Sequence, residues 1–539
     1  MLKRTIYNPL QVLLLTSTLL LSCTKQLEEK TFSFISPETF YKNEADAKTA
    51  ITGVYNALYS WDLYLQPMWN LSILDDDHVS GVDWFLGTTG AGNPQGYWGV
   101  NGPWVGCYTI ISRANTVLEN VEKINSNIDA EIKQRILGEA YFLRGWAYFQ
   151  LAQLYGGVPV RLKSLTLDPN PNVPRSSLFD TYKVVIDDLK KAETMLFPFG
   201  HPKAGEPGHA TRGLAKSVLA KVYLTMASGS LSNANVSVRG GTDNGYYVHA
   251  KQVVAGLEGV DSRTYFQAAA DKAEEVMASG EYSLFTNWKD IWSKAGRNKQ
   301  ENMWQLQSVA GTAFVNQLSI YFSSLSTFGR GAVWFTNNHY QDYEDADKRV
   351  LDGVSHNYTT NTGTRYYYPS WQAALYQVVG GLTYSNNGTT DNRAYTIKYA
   401  DVNDPTVANS DAFFPLMRFA EVPLIIAEAL NELNGGPTTD AYARLNLIRT
   451  RASATAAPAG MNQEQFRSFV LAERAREFAL EGVRRYDLLR WGIYLQVMNR
   501  ISAGQNNISK VRSLRNLLLP IPLSELNSNQ SITGNNPGW

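Results

Sequence analysis

Charge of one sign is not in excess in this chain: Lys and Arg together number 49, Asp and Glu together 49, and the formal net charge is zero. A field that would draw nucleic acid to the surface as a whole is therefore excluded, and no nucleic-acid partner is expected. Histidine is scarce, with six in 539 residues, no HExxH and no pair at i and i+4. Zinc catalysis on a helix thus has no ligand set, and no metal ligands are assigned. The two cysteines, Cys23 and Cys107, exclude a disulfide framework. Cys107 lies on an apolar helical pattern and reads as a buried thiol. The glycines near Gly87 to Gly96 miss both phosphate-loop spacings. Calcium loops alternate their ligands with spacers, which neither the run Asp75, Asp76, Asp77 nor the group Asp401, Asn403, Asp404 does. A structural calcium is conceivable there but unsupported, and no cofactor is expected.

What the chain has is aromatic side chains, 13 Trp and 30 Tyr, many of them in Asn- and Gly-rich sequence. Such residues suit exposed stacking surfaces. It also has helical periodicity. Apolar stripes at three- and four-residue steps predict helices over Glu44–Tyr59, Val105–Ile124, Lys133–Tyr155, Ser177–Met195, Thr211–Met226, Thr264–Ser279, Phe419–Leu433 and Ala441–Ala452. Gly156, Gly157 and Pro159 form a clear stop after the third. The helices come in pairs with alanines spaced for close contact, although no clean 34-residue period fits. The fold class expected is mainly α, a tetratricopeptide-like helical-repeat scaffold with long irregular loops and a few short strands.

The densest pattern is Ala472–Gly492, AERAREFALEGVRRYDLLRWG. Its apolar stripe predicts one continuous helix, with Glu473 and Arg476, and Glu481 with Arg484 and Arg485, at helical pairing distance. Glu473 and Glu477 might suggest a glycosidase pair, but the surrounding guanidinium groups would keep both ionised, whereas the acid of such a pair must hold its proton. No catalytic residue is assigned and no enzyme activity is expected. Between the helices lie Asp75–Pro103, Leu231–Tyr247 and Val309–Asn409, rich in Gly, Asn, Thr, Tyr and Trp without helical period. A stretch as long as the third must hold short strands and helices of its own.

The N-terminus carries Lys3 and Arg4, an apolar core from Val12 to Leu21, and then Ser22 and Cys23. This is the layout of a secretory signal, and the run is too short to span a bilayer. Leu-Leu-Ser-Cys resembles a bacterial lipobox, in which the cysteine is acylated; Cys23 is accordingly the expected lipidation site, residues 1–22 the signal peptide and 23–40 a tether. Glu28 and Glu29 resemble the acidic export signal of surface lipoproteins in the Bacteroidetes.

Four segments together resemble the SusD/RagB family of outer-membrane lipoproteins. They are GEAYFLRGWAYFQLAQLYGGVPV (Gly138–Val160), RFAEVPLIIAEALNEL (Arg418–Leu433), the Ala472–Gly492 stretch, and LLPIPLSELNSNQSITGNNPGW (Leu518–Trp539). The resemblance implies one SusD-like domain over 41–539. Its helical scaffold would lie mainly in 41–74, 104–230, 264–280 and 410–500, and its ligand-binding loops mainly in 75–103 and 300–409. It also implies a surface-exposed, lipid-anchored protein of the outer membrane that captures glycans, or in some members peptides. The captured ligand passes to a SusC-like TonB-dependent transporter. Glu473, Arg474, Glu477, Glu481, Gly482, Arg484, Asp487, Arg490 and Trp491 would then be framework that cross-ties loops to helices.

Sugars present apolar C–H faces ringed by hydroxyls, so a glycan site needs aromatic planes and a few directed polar groups. The candidates are Asp77, Trp84, Tyr97, Trp98 and Asn101 in the first loop, with Tyr321 and Trp334 in the third. Trp371 is a weaker candidate, and Trp104 reads as framework. The competing reading for Trp84 and Trp98 is burial as local core. Peptide capture is the alternative function, and a surface glycosidase built on Asp75–Asp77 the remote one.

Overall fold

The Asn43 side chain accepts from the backbone N–H of Asp46 and opens the first helix, α1 (Glu44–Asn56), with Glu44 and Asp46 in its first turn where the helix dipole favours them. The same chemistry recurs along the chain. Asp129 caps α4 (Ala130–Tyr155), which follows α2 (Pro67–Ile73) and α3 (Gly102–Val121). Ser177, Thr211 and Asp261 cap α5 (Leu178–Met195), α6 (Arg212–Ser230) and α7 (Ser262–Ser279). Past α8 (Glu421–Asn434), Thr438 caps α9 (Thr439–Arg451), and Asn462 forms a full capping box with Gln465 on α10 (Gln463–Glu477). In this computed structural model residues 40–241, 243, 245–326, 329–360, 362–369, 388–501 and 510–539 are described. The signal peptide, Cys23, the tether through residue 39 and Trp371 lie outside the described residues.

Consecutive helices pack side by side: α3 on α4, α4 on α5, α5 on α6, α6 on α7, and α8 across α7, α9 and α10. Close approach needs small residues at the contacts. A Cβ on Gly145 of α4 would sit 3.3 Å from Leu189 of α5. The apolar core extends from Ala47 to Ile532, so the N-terminal and C-terminal helices bury their stripes against shared neighbours. The fold is mainly α with short strands, as the sequence pattern implies.

The irregular stretches are built from those strands. β1 (Val79–Gly81) pairs antiparallel with β5 (Val333–Phe335), Ser80 facing Trp334. β2 (Asn235–Gly240) and β3 (Gly245–Ala250) form a hairpin, where no period was evident in sequence. β4 (Trp304–Leu306) pairs with β9 (Phe414–Met417), and β6 (Asn357–Thr359), β7 (Arg365–Tyr367) and β8 (Thr389–Thr390) form a small mixed sheet. Short helical turns at Asp83–Leu86, Leu318–Phe322 and Asn337–Tyr340 complete the loops.

One expectation fails. Ala472–Gly492 is two helices, α10 and α11 (Arg484–Arg490), with α12 (Tyr494–Arg500) following. Between α10 and α11 the chain turns through Leu480 at φ 59° and Gly482 at φ 76°. A Cβ on Gly482 would lie 2.5 Å from Ser72 Oγ of α2, so both conformation and space call for glycine. The break also reassigns the ion pairs. Glu473 and Arg476 do pair, at 2.7 Å, but Glu481 turns to Arg418 and Lys398, while Arg484 and Arg485 turn to the aspartates of the first loop.

Candidate functional site

Two layers lie behind the aromatic loops, and the inner one is ionic. Glu473 accepts from Arg349, Arg449 and Arg476 at 2.6, 2.5 and 2.7 Å. Glu477 accepts from Arg418 and Arg451 at 2.9 and 2.6 Å, and those two guanidiniums also reach Glu301 at 2.6 and 2.7 Å. Burial alone would raise the Glu473 carboxyl, but Arg349, Arg476 and Arg449 reverse that and hold it far below the usual range. Glu477 is likewise raised by burial and pulled lower by Arg451, Arg418 and Arg349. A carboxylate held ionised in this way cannot donate a proton near neutral pH, so this cluster supplies no general acid.

The lattice reaches into the first loop. Arg484 grips Asp77 with two bonds of 2.7 and 2.6 Å, and Asp75 takes Arg485, Arg512 and the Tyr494 hydroxyl. Arg512 also donates to the carbonyl of Gly90, Asn516 to that of Gly92, and Lys510 to that of Asp76. These bonds hold the loop's backbone, and Trp84 and Trp98 stand on its outside.

The outer layer is aromatic. Trp98 is 63% exposed, its ring 6.3 Å from that of Trp61, which is 49% exposed, with the two planes tilted by 54°. Tyr97 packs beneath at 5.3 Å from Trp98 and is itself buried. Its phenol is raised by burial and, secondarily, by the Tyr321 phenol. Tyr321 stacks on Phe85 at 4.0 Å and 13°, and Phe85 meets Trp84, 62% exposed, edge-on at 5.7 Å. The stack is anchored on buried Trp69, 6.0 Å from Tyr321. The aromatic strip thus comprises two ring groups, Trp61 with Trp98 and Tyr97, and Trp84 with Phe85 and Tyr321. Polar groups flank the first of them: Asp62 and Asn101 are exposed, and the Asn101 side chain makes no capping bond to α3. Ring faces with directed polar groups at their edge are suited to ligands that are both apolar-faced and hydroxylated.

A SusD family model matches residues 334–539, and a model described as starch-binding, associating with the outer membrane, matches 36–224. The chain belongs to the SusD family. SusD-like protein P2 of Formosa agariphila is 28% identical over 98% of this chain and 98% of its own length. The starch-binding protein SusD of Bacteroides thetaiotaomicron is 32% identical over 30% of each chain. A crystal structure of a SusD homolog from Bacteroides thetaiotaomicron has a TM-score of 0.73 at 22% identity, covering 93% of this chain and 98% of that one. That last likeness establishes the SusD fold.

In this SusD-family chain the expected site residues separate. Tyr97 and Trp98 fall in one ring group and Trp84 and Tyr321 in the other, and Asn101 stands exposed beside the first. Trp334 joins neither through any of those ring contacts: it is half-buried in β5, with Arg393 over its face at 4.7 Å and Tyr395 edge-on at 5.9 Å. Asp77 is a correction. Three consecutive acids in a polar loop look solvent-facing, yet all three are buried, and Asp77 spends both carboxylate oxygens on Arg484. The guanidiniums on Asp75 (Arg485, Arg512) and on Asp77 (Arg484) occupy the oxygens a calcium ion would need and hold both carboxyls low, which removes them as glycosidase acids. Tyr97 contributes support and no open face. Trp61 and Asp62 were missed by sequence reasoning, which ran the first helix to Tyr59 and stopped. The available signal was a Trp-Asp pair placed in a turn directly after a helix end.

Proposed function

We propose that this SusD-family chain is a lipid-anchored glycan-binding protein of the outer-membrane surface that captures oligosaccharide or polysaccharide and passes it to a SusC-like TonB-dependent transporter. The observation that carries the capture step is the exposed, tilted pair Trp61 and Trp98 with Asp62 and Asn101 beside it. Ring faces take the C–H faces of a sugar while carboxylate and amide take its hydroxyls. The starch-binding name of the relative SusD and the outer-membrane description of the family support the same ligand class and place. Acylation of Cys23 supplies the anchor, each buried methylene adding about 0.8 kcal/mol. The core extending from Ala47 to Ile532 supports residues 41–539 acting as one unit. The saturated carboxylates of the lattice support capture without turnover.

The test is affinity electrophoresis and calorimetry of the purified protein against a polysaccharide panel and a peptide mixture. Saturable binding to one polysaccharide class is expected, weakened by about 1–3 kcal/mol in Trp61→Ala, Trp98→Ala or Trp84→Ala, with the unfolding midpoint unmoved because these rings are largely exposed. Binding to peptides alone overturns the glycan reading in favour of peptide capture. Unchanged affinity in all three variants rejects the strip as the site, and turnover of a bound glycan overturns the non-catalytic reading.

A further inference from the structure

Behind the β1–β5 pair, and separate from the aromatic strip, two imidazoles and a carboxylate converge. His78 immediately precedes β1, and its carbonyl accepts from Thr336 N–H at 2.9 Å just after β5. His339 sits one short turn further on, its ring stacked on that of His78 at 4.0 Å and 14°. Asp342 follows three residues later, with Oδ2 3.9 Å from His339 Nδ1. Ligand atoms from all three residues lie within 4.8 Å of one another.

The hydrogen bonds around His339 leave a vacancy of a particular kind. The Tyr343 hydroxyl has one proton and donates it to the carbonyl of Arg476 at 2.8 Å. Its oxygen, 3.1 Å from His339 Nε2, must therefore accept, which puts the ring hydrogen on Nε2. His339 is 1% exposed. Its Nδ1 is then a bare lone pair with no hydrogen-bond partner among the described residues. It faces a carboxylate oxygen, so two acceptors confront each other across a gap that only a cation or a bridging water can fill. Asp342 keeps Oδ2 for that gap because Arg239 takes Oδ1 at 2.6 Å. His78 Nε2 lies 3.3 Å from Asp77 Oδ2, the carboxylate-behind-imidazole arrangement that orients metal-ligating histidines. A cavity of about 20 Å³, lined in part by His78, Ser237, Arg239, Asp342 and Arg484, opens beside the group and has room for one water.

We propose that His78, His339 and Asp342 form a binding site for a divalent transition metal of the zinc class, with three protein ligands and one water. Two nitrogens and one carboxylate oxygen are the donors that zinc takes, whereas calcium and magnesium require oxygen ligands. Binding draws the ligand atoms to about 2 Å from the ion, which requires one imidazole to tilt out of the stack. The guanidiniums of Arg239 and Arg484 stand close by and hold the affinity below that of a closed cysteine-rich site. The ion would join β1, the turn after β5 and, through Arg239, the β2–β3 hairpin.

The test is a titration of the chelator-treated full-length chain with Co2+, followed by Zn2+. A saturable one-to-one visible absorption band without thiolate charge transfer is expected, displaced by zinc and lost in His78→Ala and in His339→Ala. Tyr343→Phe, which keeps the ring and removes only the oxygen holding His339 Nε2–H, is expected to weaken cobalt binding about 10- to 100-fold. Absence of a saturable band in the wild-type chain overturns the proposal whether or not the variants fold. So does a band of unchanged strength in the His78→Ala/His339→Ala double variant, or a response to Ca2+ alone.

Discussion

Replacing Arg484 by Met isolates the tie between the α10–α11 framework and the loop that carries Trp84 and Trp98. Methionine follows the apolar stem of the arginine and removes only the guanidinium. Asp77 then loses bonds of 2.7 and 2.6 Å and keeps the His78 imidazole at 3.3 Å. Both partners are nearly excluded from solvent, their side chains 5% and 1% exposed, so screening by water does not soften the loss. Breaking a buried pair by removing one partner costs about 3–5 kcal/mol. The upper part of that range applies here because, among the described residues, no second guanidinium pairs with Asp77. Arg418→Met is the comparison: Glu301 and Glu477 keep Arg451, and Glu481 keeps Lys398, so the lower part applies. Urea unfolding followed by tryptophan fluorescence reads the difference. The sign with pH follows from proton binding. In the native chain burial would raise Asp77, but Arg484 and then His78 hold it low, and the stability gained is present above the unfolded value near 3.8. In Arg484→Met burial is opposed chiefly by His78, the folded carboxyl is expected to rise above its unfolded value, and the folded state takes up a proton first as pH falls. The deficit is therefore largest at pH 7 and shrinks towards pH 4. A deficit below about 1 kcal/mol at pH 7, or one that grows on acidification, would refute the reasoning.

Two further outcomes follow from the same framework. Gly482→Ala places a side chain in a left-handed conformation and against Ser72 Oγ, and is expected to cost about 1–3 kcal/mol; adding Ser72→Ala should recover the steric part only, and full recovery would show that the backbone conformation carries no cost. Lys398 is lowered by burial, against the pull of Glu481, to about 8, so between pH 8 and 10.5 the unfolded chain binds the extra proton and stability rises with pH. Lys398→Met should flatten that segment of the stability–pH curve, and an unaltered slope would assign it to other groups.

The helices were legible because their information is local. A stripe every three or four residues, a Ser, Thr, Asp or Asn before it and a glycine after it are all read within about twenty residues, and the observed ends of α4, α5 and α7 lie within a few residues of those expected. The break at Gly482 was hidden because the apolar stripe continues in phase on both sides of it, while the cause, Ser72, lies in another helix. The burial of Asp77 was hidden for the same reason, its partner Arg484 being 407 positions away. β4 and β9 are three and four residues long and meet across most of the third loop, so neither carries a period by itself. The aromatic strip was half legible. Trp84 and Trp98 stood out in polar sequence, whereas the pairing of Trp98 with Trp61 is a product of tertiary structure.

The clamps on the first loop come from the end of the chain: Arg484, Arg485, Lys510, Arg512 and Asn516 hold Asp75, Asp76, Asp77, Gly90 and Gly92. During synthesis the loop is among the first segments made and its fasteners among the last. The strip thus assembles only once the final helices have arrived, and a polypeptide cut short before them has the tryptophans without the surface. Completion of the chain and formation of the aromatic face become one event, so that a truncated product lacks that surface.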